Sequence, residues 1–92
     1  MLMSRAARET PEPAGETVKV SRELELKKPL MHGEDVRVVQ RALNEAGARP
    51  ELVVDGRYGA HTRAAAKVYQ ANHGLLPDGI VGEKTLTGLG LA

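Results

Sequence analysis

The residues with chemistry to offer are few. His32, His61 and His73 are the only histidines. None sits in a His-Glu-x-x-His spacing or another compact metal pair, so a zinc site would require the fold to gather all three. The only serines, Ser4 and Ser21, fall in the N-terminal stretch, where nothing would hold a nucleophile against a base. Cysteine is absent, which removes thiol catalysis, disulfides and Cys-ligated metals. Gly56-x-x-Gly59 lacks the Lys-Ser/Thr of a phosphate loop. One pattern remains. Asp55-Gly56-Arg57-Tyr58-Gly59-Ala60-His61-Thr62 and Asp78-Gly79-Ile80-Val81-Gly82-Glu83-Lys84-Thr85 share the frame Asp-Gly-x-x-Gly-x-x-Thr, 23 residues apart. A calcium loop needs several oxygen ligands at alternating positions, and each copy supplies one Asp. Two carboxylates brought close together would suit acid/base work, but nothing in the spacing requires it. The stronger reading is architectural. Asp-Gly makes a turn in which the Asp side chain accepts backbone N–H bonds. The second Gly permits an unusual backbone angle or a close approach. Thr lies in the first helical turn, its hydroxyl satisfying a nearby backbone group.

The elements that carry this repeat follow from periodicity. Val36, Val39, Leu43 and Ala46 share one helical face, predicting a helix at roughly 34–46. Glu34 and Asp35 suit its N-terminal dipole, and Gly47 is its expected left-handed stop. A second helix follows Gly59, with Thr62, Ala65, Ala66 and Tyr69 inward, and ends at Gly74. A third, short helix spans roughly 83–89 with Leu86 and Leu89 inward, weakened at its end by Gly88 and Gly90. Tyr58 and Val81 hold the same frame position, so each is expected to plug the core below its turn. Residues 1–23 show no helical or strand period and read as a flexible tail or linker. The alternative is that Val18 and Val20 pair as a short strand on the domain. The expected architecture is all-α: a compact three-helix domain at 24–92 with short Gly-rich loops.

Composition narrows the function. Ninety-two residues allow one domain. Two tyrosines, with no Phe and no Trp, leave no extended aromatic platform for stacking sugars or bases. Thirteen Lys plus Arg against twelve Asp plus Glu give +1, too little for a dedicated nucleic-acid binder. Arg37 with Arg41, and Arg63 with Lys67, share helix faces. They read as solvated faces, or else as a shallow patch for carboxylates or phosphates. No apolar run spans a membrane, and the N-terminus lacks the apolar core of a signal peptide.

The linked motifs resemble the peptidoglycan-binding domain family, three-helix modules often attached to bacterial and phage cell-wall hydrolases. Gly33-Glu34-Asp35-Val36 followed by Val39-Gln40 matches its first helix. Both Asp-Gly repeats, Tyr69-Gln70 and Gly74-Leu75-Leu76-Pro77-Asp78-Gly79 follow in the family's order, covering residues 24–92. Tyr58 and Tyr69 stand where the family has Phe; a buried Tyr hydroxyl needs a partner, whereas a partly exposed one can donate to ligand. The resemblance implies non-catalytic binding of peptidoglycan, with no cofactor, no metal and no catalytic residue. The expected ligand surface is a shallow groove beside the Asp55 turn and the second helix, using Gln40, Arg57, Tyr58 and Tyr69 with backbone groups of Gly56 and Gly59. Asp55, Thr62, Asp78, Gly79, Gly82 and Thr85 are expected to shape the turns. Such a module would target or anchor a wall-acting protein or particle at the cell wall, outside the cell or in the periplasm. The alternative is a structural or adaptor piece of a phage tail or injection particle, virion-associated. A wall hydrolase or virion protein would then be a partner through residues 1–23.

Overall fold

A computed structural model describes residues 19–92. Three helices follow one another: α1 (Glu34–Glu45), α2 (Ala60–Asn72) and α3 (Glu83–Gly88). Among the described residues extended pairing is limited to two antiparallel bridges, Leu24 with Val81 and His32 with Arg57. Each bridge ties the chain before α1 to one of the two repeated turns. The all-α architecture read from the sequence is therefore what folds.

The helices form where the apolar period placed them. α1 buries Val36, Val39 and Leu43, and α2 buries Thr62, Ala66 and Tyr69. Their inner faces meet Leu24, Tyr58, Val81, Leu86 and Leu91 in one aliphatic core. Burying each of the larger aliphatic side chains contributes about 1.5–3 kcal/mol. Ala46 ends α1 as its C-cap residue and is exposed, so the inward face stops at Leu43. Gly47, at φ 103°, turns the chain back in the left-handed region, as its position required. Gly88 sits in α3 for a packing reason: a Cβ there would lie 2.7 Å from the Tyr69 hydroxyl.

The N-terminal boundary differs from the expected one. Residues 1–18, Val18 among them, lie outside the described residues. Residues 20–22, however, pack on the domain. Val20 is buried, and its amide donates to the Leu91 carbonyl at 2.9 Å. Arg22 donates from Nε to Asp35 Oδ2 at 2.7 Å and from its Nη2 to the His32 carbonyl at 2.9 Å. That pairing holds the Asp35 carboxyl below the ordinary carboxylate range. The packed unit thus begins before Leu24. A lone valine and a lone arginine carry no period, which is why the sequence pattern did not extend to them.

Candidate functional site

Each Asp-Gly turn is built around a glutamine from the helix that precedes it. Gln40 of α1 reaches the Asp55 turn. Its Nε2 donates to Asp55 Oδ1 at 3.1 Å, to the Arg57 carbonyl at 3.0 Å and to Thr62 Oγ1 at 3.0 Å. Its Oε1 accepts the Gly56 amide at 3.0 Å. Gln70 of α2 repeats the set on the Asp78 turn. Its Nε2 donates to Asp78 Oδ1 at 3.2 Å, to the Ile80 carbonyl at 2.9 Å and to Thr85 Oγ1 at 3.0 Å, while its Oε1 accepts the Gly79 amide at 2.9 Å. Both glutamines are 1% exposed. A side-chain amide offers two donors and one acceptor oxygen, and here both ends are used in the dry interior.

The backbone copies itself as well. Gly56 and Gly79 are the residues that need the left-handed region, at φ 77° and 75°. Gly59 and Gly82, expected to carry an unusual angle, instead lie at φ −100° and −101°, a region open to other residues. The threonine hydroxyls accept from glutamine, not from or to backbone. Asp55 and Asp78 each accept the amide two residues on at 2.9 Å, which closes the turn. The Arg57 amide, and then the Gln40 side chain, hold the Asp55 carboxyl below the ordinary carboxylate range. A carboxyl held ionised in this way is a weak general base.

Of the residues expected to touch ligand, several lie inside. Tyr58 is fully buried, and its hydroxyl donates to the Gly79 carbonyl at 2.7 Å. Burial pushes its pKa well above that of a free phenol. Gln40 and the Gly56 amide satisfy each other. Tyr69 is 7% exposed, with its ring stacked on His73 at a centroid distance of 4.0 Å. The Gln40 and Tyr58 side chains and the Gly56 backbone amide, expected among the ligand contacts, are consumed by the core and the turn, and Tyr58 plugs the core as its frame position predicted. Arg57 is exposed, Gly59 is half-buried, and both reach the surface beside the Asp55 turn. The expected turn residues Asp55, Thr62, Asp78, Gly79 and Thr85 all take part in the clamps. Gly82 holds the backbone N-terminal to α3. The sequence carried part of the signal, a glutamine in the helix before each repeat, but not the partners that make it a clamp.

Two hollows flank the Asp55 turn. The first, about 460 Å³, runs between the loop at 46–55 and α2, and is lined by Leu52, Val53, Arg57, Ala65, Val68 and Tyr69 among others. It lies where the groove was expected. Asn44 shapes one wall, accepting the Leu52 amide at 2.7 Å and donating to the Leu52 carbonyl at 3.0 Å. The second, about 520 Å³, lies between the start of α1 and the turn, with His32, Glu34, Arg37 and Arg57 around it. His61 and His73 border the first hollow and His32 the second, and no metal-holding group of three His, Asp or Glu forms among the described residues. The two basic pairs are placed differently. Arg37 and Arg41 both reach Glu34 at 3.7 Å, and Arg63 and Lys67 lie over Gly79. No helix among the described residues is long and apolar enough to cross a membrane.

Comparison with known proteins bears on this arrangement. The family described as "Putative peptidoglycan binding domain" matches residues 32–89. The N-acetylmuramoyl-L-alanine amidase CwlM of Mycobacterium tuberculosis is 41% identical over 59 residues, covering 64% of this chain and 14% of the amidase. The amidase CwlL of Bacillus licheniformis is 42% identical over 65 residues, covering 65% of this chain and 18% of the relative. The zinc D-Ala-D-Ala carboxypeptidase of Streptomyces albus G is 41% identical over 54 residues, 58% of this chain and 21% of the enzyme. The crystal structure of the Burkholderia AP3 phage endolysin superposes with a TM-score of 0.66 at 46% identity, covering 74% of this chain and 24% of that one. The chain therefore spans less than a quarter of the length of each of these proteins.

Proposed function

The chain belongs to the peptidoglycan-binding domain family, and from that premise we propose that it binds the bacterial wall through the groove between the Asp55 turn and α2, without cleaving any bond. Its relatives among wall amidases and the phage endolysin are several times longer, and the matched portion is 14% to 24% of their length. In this reading the module holds a wall-acting protein or particle at its substrate, at the cell wall or on a virion. The observation that carries it is the open hollow of about 460 Å³ beside a turn whose own polar groups are already satisfied. Recognition then falls to exposed groups around that hollow, Arg57 and Val68 among them. Small contact area implies modest intrinsic affinity, which tethering to a partner or repetition would raise.

Co-sedimentation with purified sacculi tests the proposal. The full chain should pellet with sacculi and release neither sugar nor peptide from them. Val68→Glu places a charge at an exposed edge of the groove, and should leave the fold intact while shifting the chain into the supernatant. A chain that stays soluble beside sacculi, or one that releases wall fragments alone, would end this reading. A tail or injection-particle adaptor would show the first of those outcomes.

A further inference from the structure

The wall polymer presents two chemistries: neutral N-acetylated sugars in long strands, and short peptides rich in L- and D-alanine that carry carboxylates and an amine. We propose that the groove takes the peptide and not the sugar strand. This inference rests on the wall-binding reading and narrows it.

Sugar rings bind proteins largely by laying their C–H faces on flat aromatic faces. This surface has no Tyr, Phe or Trp face to give, and its exposed rings are the small imidazoles of His61 and His73. Tyr58 is wholly buried, and Tyr69 is 7% exposed with its ring already covered by His73. What the hollow offers is a floor of small apolar groups. Ala64, Ala65 and Val68 come from α2, and Val53 faces them from the loop. Val53 and Val68 are 76% and 58% exposed, so their methyl groups are open to a ligand. Methyl-sized side chains fit such a floor, whereas hydroxyl-covered rings gain little from it.

The rim points the same way. Arg49 and Arg57 stand with Glu51 and Asp55 around the hollow. A lining of both signs complements a ligand bearing carboxylates and an amine and does little for a neutral sugar. Val53, in the groove wall, donates no backbone hydrogen bond to the described residues.

Amide chemical shifts of the full chain, titrated separately with two probes, decide the matter. One probe is a synthetic L-Ala-D-isoglutaminyl-L-Lys-D-Ala peptide; the other is tetra-N-acetylchitotetraose. The peptide should move the amides of Val53, Ala64, Ala65 and Val68 saturably, and the sugar should leave them still. Val68→Glu, checked for unchanged helical circular dichroism, should weaken the peptide response about tenfold or more. Groove amides that follow the sugar overturn the inference. So does a groove silent to both probes in a chain that still pellets with sacculi. Failure to pellet, by contrast, removes the wall-binding reading and this inference with it.

Discussion

The Asp55 turn and the Asp78 turn are the same device in two settings. Their glutamine bonds match partner for partner, with lengths between 2.9 and 3.2 Å. Their surroundings diverge. The Asp55 turn stands between two hollows, with Arg57 exposed between them. The Asp78 turn is roofed by Arg63 and Lys67, and its Gly79 carbonyl is capped from below by Tyr58. Duplication supplied geometry twice, and side chains at unshared positions gave the two copies different neighbours. The lesson is that the shared residues make scaffold, and the unshared ones set what surrounds each copy.

The equivalence of the two clamps can be broken most directly at the glutamines. Gln40→Leu and Gln70→Leu each leave a Gly amide, a carbonyl and a Thr hydroxyl without their buried partner. Each should cost about 3 kcal/mol, a fall of about 15 °C in thermal midpoint for a domain of this size. Unequal losses, read by urea or thermal denaturation, would show that one turn is held by its surroundings and not by its glutamine.

The glycines sharpen the comparison. Gly56→Ala and Gly79→Ala both force a side chain into the left-handed region, at about 1–2 kcal/mol. The added Cβ would meet Arg63 Cγ at 2.8 Å in the Asp78 turn and Arg37 Cγ at 3.2 Å in the Asp55 turn. Gly79→Ala should therefore be the more destabilising of the two in the same denaturation experiment.

Tyr58→Phe removes the one hydroxyl that joins the copies, and should cost about 1 kcal/mol. Its pH dependence carries a sign. Burial raises the folded pKa of Tyr58 above 10.0, so its contribution is fully present below about pH 10 and fades as pH rises through the folded value. The wild type should lose stability in alkali more steeply than Tyr58→Phe, as urea midpoints at successive pH values will report.

The smallest expected effect is acid-side. The Asp55 carboxyl is held low by the Arg57 amide and Gln40. Its share of stability is present above the ordinary carboxylate pKa of about 3.9 and disappears as pH falls through the folded value. Carboxyl-carbon chemical shifts of Asp55 should titrate below that value in the wild type, and return toward it in Gln40→Leu at temperatures where that variant stays folded.

Much of this was legible in the residues. Val36, Val39 and Leu43 announced α1, and the Asp-Gly frame announced two like turns, because both signals are local and periodic. The resemblance placed the expected groove beside the Asp55 turn and the second helix, where a hollow lies. The glutamines were not legible as clamps, since a polar residue on an inward face reads equally as a ligand contact. Only the packed partners, Gly56 and Thr62 around Gln40, decide between those roles. Tyr58 was ambiguous for the same reason: the sequence showed a hydroxyl but not the Gly79 carbonyl 2.7 Å away. Val20 was placed on the domain only in the alternative reading and Arg22 was missed, because their partners, Leu91 and Asp35, lie far along the chain.

The bond between the Val20 amide and the Leu91 carbonyl, followed inward by the paired bonds of Leu24 with Val81, has a mechanical meaning. A pull applied across residues 20 and 91 would load these contacts one after another, as a zip opens, not all together in shear. Anchored to a stiff polymer and towed from that side, the domain would part first at this strap, while the glutamine-held turns deeper in the fold stayed slack.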